Sequence, residues 1–261
     1  MCPGNGRLLR LCTWAFAAAA WSQNAPPMVV VTGAPYSGEQ VQERMETSSD
    51  GSRITRSLGS VKMYRDSEGR TRTERPQAIE IEDPVAGLRF TLDARTKTAR
   101  RVAVTREQMI SGDQSGTLLA LSAGNTITFS TPVAGSSVSV TLTVIPASDA
   151  GKPQPQLATE DLGTLKMEGV LVEGSRQTLT IPAGAQGNDR PITTVTDTWT
   201  SPELKIVMLS KVTDPRTGET TVQMTHLSRS EPTLTLFQPP PDYKIMEASA
   251  QNFQPAELPA K

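Results

Sequence analysis

From Gln40 onward, apolar and polar positions alternate in short runs separated by turn signals. Residues 41–48 are followed by Asp50-Gly51, a hairpin dipeptide. Residues 53–65 are followed by Asp66-Ser67-Glu68-Gly69, which fits a type I turn with glycine last. Residues 70–74 and 79–82 come next, the latter ended by Asp83-Pro84. Leu88, Phe90 and Leu92 alternate with Arg89 and Thr91, a period of two that puts three apolar side chains on one face of a strand. A turn at 93–97 leads into Val102 and Val104.

After Arg106 the pattern changes. Between Gln108 and Ser148 the only charged residue is Asp113, and the stretch is rich in Ser, Thr and Gly, with strand-like pieces at 126–129 and 139–145. Pro153 and Pro155 follow in a linker signature. The strand rhythm resumes at Leu162. Leu165, Met167, Gly169 and Leu171 alternate with polar neighbours, and 176–181 ends at Pro182. Ile192, Val195, Asp197 and Trp199 form the next strand, closed by Ser201-Pro202. Residues 205–213 are a strong strand, and Asp214-Pro215-Arg216-Thr217-Gly218 is a turn with proline at its second position. Residues 220–229 return antiparallel, 232–237 read as a short helical turn, and three prolines precede 243–246.

No apolar spacing of 3, 4 and 7 persists for three turns, so long helices are not expected. The pattern predicts an all-β chain with minor α content: one large curved antiparallel sheet or open half-barrel, with an insertion or flap at 107–158. The expected layout is a signal peptide at 1–22, a flexible lead-in at 23–38, a single β domain at 39–246 and a disordered tail at 247–261. Both strand-rich blocks carry a turn of the form Asp-x-Arg-Thr, at Asp93 and at Asp214.

The N-terminus adds a location. Arg7 and Arg10 precede a ten-residue apolar run at 11–20, and small residues follow at a cleavage position. The run is shorter than the ~20 residues a spanning helix needs, so it reads as a secretory signal peptide. The protein is expected to be exported, periplasmic or extracellular, with no transmembrane segment in the mature chain. Cys2 and Cys12 both lie in the signal. The mature chain would then be cysteine-free, without a disulfide, a thiolate metal site or a cysteine nucleophile. An arginine stands where a lipidation signal needs small residues before Cys12, which argues against a lipid anchor. Charge is balanced, with 26 basic and 27 acidic residues, and this argues against nucleic acid as the main partner.

Candidate chemistry is sparse. His226 is the only histidine, so no multi-histidine metal site can form, although one histidine could act as a general base. No Gly-x-Ser-x-Gly elbow occurs. Residues 29–34 look like a nucleotide-binding strand and glycine turn, but the remaining glycines and the following helix pattern are missing. Glu80 and Glu82 share a strand face beside Asp83, and Asp66 and Glu68 share a turn. Each group could bind a cation or shift a neighbour's pKa, and each is better explained as charge that protects a sheet edge. No catalytic residue, metal or cofactor is assigned. The apolar faces matter more. Phe90, Leu92, Val170, Val195, Trp199, Met208, Met224 and Phe237 are the candidates for the inner face, where they form the core or line a ligand pocket. Methionine suits a pocket for variable apolar ligands.

The motifs DGSRITR, YRDSEGRTRTE and IEDPVAG in the first block, and EGVLVEGSR, TIPAG, GNDRPI, TWTSPELKIVMLS, DPRTGE and LFQPPPDY in the second, resemble a pattern of exported bacterial proteins of acidobacterial type. The strand order and the closing Leu-Phe-x-x-Pro-x-x-Tyr phrase also resemble the periplasmic lipoprotein-carrier (LolA/LolB-like) half-barrel. That resemblance implies a sheet whose concave face binds acyl chains, whereas the carriers' plugging helices are not found here and the 107–158 insertion has no counterpart. The expectation is a non-enzymatic envelope protein that binds a lipid or other apolar ligand on the concave face. A protein-interaction or envelope-sensing module with an envelope protein partner is one alternative. A hydrolase using His226 is the other.

Overall fold

The structure, a computed structural model, describes residues 28–48, 50–111 and 154–248, and the backbone of 119–123, 126–133 and 136–143. Residues 1–27, which include the expected signal peptide at 1–22, and residues 249–261 lie outside the described residues. The first block gives β1 (Met28–Val30), β2 (Tyr36–Thr47), β3 (Arg53–Arg65), β4 (Thr71–Glu74), β5 (Ile79–Asp83), β6 (Leu88–Asp93) and β7 (Thr98–Ala103). The stretch expected as an insertion gives β8 (Met109–Ser111), β9 (Leu119–Ala123), β10 (Thr126–Val133) and β11 (Ser136–Thr143). The second block gives β12 (Gln156–Met167), β13 (Val170–Ile181), β14 (Ile192–Ser201), β15 (Ile206–Asp214) and β16 (Gly218–Ser228), with β17 (Lys244–Glu247) at the end.

Twelve of these strands form one open sheet in the order β12-β13-β14-β15-β16-β2-β3-β4-β5-β6-β7-β17. Each block is an up-and-down meander, and antiparallel pairing of β16 with β2 joins them. The ends do not meet, so β12 and β17 are edges. β17 adds in parallel to β7, and β1 pairs in parallel with β8 outside the large sheet. The strands β9, β10 and β11 form a separate antiparallel sheet.

Turn chemistry sets the meander. The Asp93 and Asp214 carboxylates accept hydrogen bonds from backbone amides two residues on, at Arg95 and Arg216, so the shared Asp-x-Arg-Thr phrase is one Asx-type turn used twice. Asp66 and Asp83 cap their turns in the same way, and Gly69 takes the left-handed conformation that ends the first of them.

Three expectations are corrected. Leu165, Met167, Gly169 and Leu171 do not lie on one strand: Glu168 and Gly169, with φ of 46° and 81°, form the two-residue turn between β12 and β13. The turn reverses the chain, and Val170 is buried while Leu171 is exposed. The lead-in is not wholly flexible, because Met28–Val30 form β1 and Met28, Val29, Val31, Ala34 and Tyr36 are buried. Apolar side chains so close to the expected signal peptide read as a spacer, yet here they have a sheet face to cover. The strand β17 likewise extends through Glu247, the first residue assigned to the tail.

The sheet carries apolar side chains on both faces. Along β3, Met63 and Arg65 point one way and Tyr64 the other. Cross-strand pairing carries Tyr64 through Arg72 and Ile81 to Phe90, and Arg65 through Thr71 and Glu82 to Arg89. The Tyr64 row belongs to a cluster of Ile81, Phe90, Leu92, Ala99 and Phe237. Met63 belongs to a different cluster on the opposite face.

Candidate functional site

The larger cluster draws on both blocks: Tyr36 and Met63 come from the first, and Val170, Val172, Leu204, Ile206, Met208 and Met224 from the second. Trp199 packs against it, half-buried, and its ring fills the space where a side chain on Gly174 would stand, with an added Cβ 2.5 Å from the ring. Val29, Val31 and Ala34, in the extended segment before β2, complete the cluster. A sheet face of this size must be covered, and the cover is extended chain instead of helix.

At the centre lies Arg65, whose side chain is completely buried. Its Nε and Nη2 donate to the Ala34 carbonyl at 2.9 and 2.7 Å, and Nη2 also donates to the Leu204 carbonyl at 2.5 Å. The guanidinium sits 4.8 Å from the centroid of the buried Tyr36 ring. Burial pushes the Tyr36 hydroxyl up to about 12, against the opposing pull of Arg65, so the phenol stays neutral and is no counter-charge. Arg65 is itself shifted down, chiefly by burial. Among the described residues it has no carboxylate partner, and its Nη1 has no hydrogen-bond partner. Sequence reasoning missed this residue because arginine in a strand reads as solvent-facing. The available signal was its position: Arg65 alternates with Met63 and Val61, on the apolar side of β3.

The eight predicted lining residues divide. Val170, Met208, Met224 and, at the margin, Trp199 meet in the larger cluster. Phe90, Leu92 and Phe237 meet in the smaller one on the other face. Val195 belongs to neither and is half-buried on β14. All three residues of the second group are buried, with Phe237 delivered by a single 3-10 turn at Leu234–Phe237. That turn is held by Arg72, which donates to the Leu236 carbonyl at 2.9 Å.

The charged candidates are paired. Glu82 meets Arg89 at 2.7 Å, and its carboxyl is raised by burial, with Arg89 opposing the shift. Glu80 meets Arg75 at 2.5 Å, and Asp66 meets Arg70 at 2.8 Å. Among the described residues no group of His, Cys, Asp or Glu is placed to hold a metal ion. His226 lies on a bulge of β16 with φ of 53°, its ring 82% exposed and 3.7 Å from the Glu39 carboxylate. The bulge removes it from the alternation that was expected to align it with Val222 and Met224. Residues 29–34 form β1 and the segment after it, which packs into the larger cluster.

A cavity of about 610 Å³ opens elsewhere, between the ends of β2 and β3 and the turn from β15 to β16. Arg44, Glu46, Arg53, Asp214, Arg216 and Glu219 line it with neighbouring backbone, and none of the eight predicted lining residues does. It is polar, and two of its acids are already engaged, Asp214 by Arg216 and Glu219 by Lys211.

No protein-family model and no curated protein matches the chain. Among solved structures, a chain of the Pseudomonas aeruginosa MucA/MucB complex matches over 82% of this chain at 12% identity, with a TM-score of 0.34. This chain spans 58% of that one's length. An outer membrane lipoprotein-sorting protein domain from Vibrio parahaemolyticus matches over 77% of this chain and 88% of its own, at 11% identity and a TM-score of 0.24. No helix among the described residues is long and apolar enough to cross a membrane.

Proposed function

We propose that the protein is an exported envelope protein that binds a lipid or another apolar ligand on the sheet face carrying the larger cluster. One observation carries the reading. Three methionines, Met63, Met208 and Met224, and the aliphatic residues around them are gathered from both blocks of an open sheet, and among the described residues a short extended segment packs over them. Methionine side chains repack around varied chains at little strain. Trp199 at the margin of the cluster is the natural reporter of occupancy.

The test is native mass spectrometry of the mature protein purified without detergent, followed by solvent extraction and lipid add-back. A co-purifying mass that extracts as lipid, or uptake with a change in Trp199 emission, is expected. A bare monomer that takes up no added lipid would sink the proposal. A second reading, docking of an envelope protein, draws on the open β12 edge, where Leu157 is exposed. That reading predicts a stable protein partner with no lipid bound.

A further inference from the structure

We infer that residues 28–34 act as a built-in plug in the apolar site, and that Arg65 passes its hydrogen bonds from this plug to the acidic head of a single-chain amphiphile. The inference rests on the apolar-ligand reading above and names the ligand's chemistry: one acyl chain with a carboxylate or phosphate head.

Three observations combine. First, the segment is bound as a ligand would be. Val29, Val31 and Ala34 enter the larger cluster by their side chains, while β1 pairs with β8 and with no strand of the large sheet. Beyond packing and the chain itself, which continues through Pro35 into β2, its links to the first block's meander among the described residues are Gly33 N–H to the Ser67 carbonyl at 2.8 Å and the Ala34 carbonyl held by Arg65. Second, Arg65 is a buried cation met by two neutral carbonyls and a neutral phenol, with Nη1 unpaired. Guanidinium is built for bidentate oxygen acids, and a buried charge without a counter-charge is costly. An acid head entering as Ala34 leaves would give two oxygens where the plug gives one, and a negative charge where the plug gives none. Third, the plug's apolar chain and terminal acceptor have the layout of an amphiphile: aliphatic groups on the methionine-lined face and an oxygen at Arg65.

The plug lowers apparent affinity by the fraction of time it occupies the site. Shaving it should therefore tighten binding. The probes are oleate and oleyl alcohol, read by Trp199 fluorescence on the full mature chain. Oleate is expected to bind roughly tenfold tighter than the alcohol, one charge-assisted pairing being the difference. Val31→Ser is expected to raise oleate affinity roughly three- to tenfold by emptying the site more often. In the unmodified protein, oleate is expected to speed hydrogen exchange at the Gly33 amide while leaving amides of β3 protected.

If oleate binds but Val31→Ser leaves affinity unchanged or weaker and the Gly33 amide stays protected, the plug is overturned and the apolar site survives. Equal affinity for acid and alcohol would overturn the role of Arg65. Binding of neither probe to either protein would overturn the apolar-ligand reading and the plug with it. Arg65→Met is a further check, expected to abolish the preference for the acid. Should that variant fail to fold, the acid-alcohol comparison and the exchange measurement still decide.

Discussion

The two faces of the sheet are covered by the same device, a few residues of chain without an α-helix, but the covers are anchored in different ways. The C-terminal cover is tied at both ends and in the middle. Glu231 accepts from the Ser67 amide at 2.9 Å, Arg72 holds the Leu236 carbonyl, and Lys97 pairs with Asp242 at 2.9 Å and lies over the Tyr243 ring. After that, β17 joins the large sheet beside β7, with Arg101 paired to Glu247. The N-terminal cover pairs only with the short β8, outside the large sheet, and its ties to the large sheet among the described residues are apolar packing, one amide and Arg65. A cover paired into the large sheet and held by several ion pairs is a permanent part of the fold. One tied to that sheet by packing, one amide and a single cation can exchange with something of similar shape.

The largest effects should come from removing each cover's apolar anchor. Phe237 is fully buried in the smaller cluster, and Phe237→Ala should lower stability by about 3–5 kcal/mol. Val31→Ala removes less volume and should lower it by about 1–2.5 kcal/mol. Chemical denaturation followed by circular dichroism measures both. Equal losses would break the comparison, because the N-terminal segment would then be as deeply built in as the C-terminal one.

Below Phe237→Ala, and similar in size to Val31→Ala, is the packing beneath the N-terminal cover. Gly174 has an ordinary backbone conformation, so alanine there is opposed by contact alone, its Cβ falling 2.5 Å from the Trp199 ring. Gly174→Ala should destabilise by about 1–3 kcal/mol through overpacking and shift Trp199 emission. On the other face, Arg72→Ala strands the Leu236 carbonyl and should lower stability by about 1–2 kcal/mol with Trp199 emission unchanged. Thermal melts and emission spectra of the two variants separate the faces. A Trp199 shift in Arg72→Ala would show the faces to be coupled.

Much of the meander was legible, because Asx turns and left-handed glycines write themselves into short phrases. The alternation of Leu88, Phe90 and Leu92 is real and buries Phe90 and Leu92 together. What stayed hidden was pairing between distant segments: the parallel additions of β1 and β17 have no local signature, since each is three or four residues long. The turn at Glu168-Gly169 was overlooked because glutamate seldom adopts positive φ. Grouping eight apolar residues on one inner face failed for a physical reason. Period-two alternation says which residues share a face within a strand, not which face is buried, and this sheet buries both. The motif resemblance implied helices at the concave face, whereas among the described residues the extended segment before β2 packs on the larger cluster.

The smallest expected effect separates the covers by pH. The carboxyls of Glu231 and Asp242 are held below their ordinary values, by the hydrogen bonds from Ser67 and from Lys97 respectively. Groups with lowered folded pKa contribute stability above their unfolded values of 4.5 and 3.8, and that contribution is lost as pH falls through the folded ones. Arg65 stays charged throughout this range, so the N-terminal cover has no anchor that titrates there. Asp214, lowered to about 2 chiefly by Arg216, keeps the turn from β15 to β16 intact until lower pH still. Hydrogen-exchange protection measured from neutral pH to about 3.5 should fall first at Tyr243 and Lys244, whose amides donate to Pro240 and Lys97. The Gly33 amide should hold longer. Both covers touch Ser67, its amide and hydroxyl donating to Glu231 and its carbonyl accepting from Gly33. If Gly33 loosened together with the C-terminal cover, protonation on one face would be reaching the other through this single turn, and the N-terminal cover would be acid-releasable as well as displaceable.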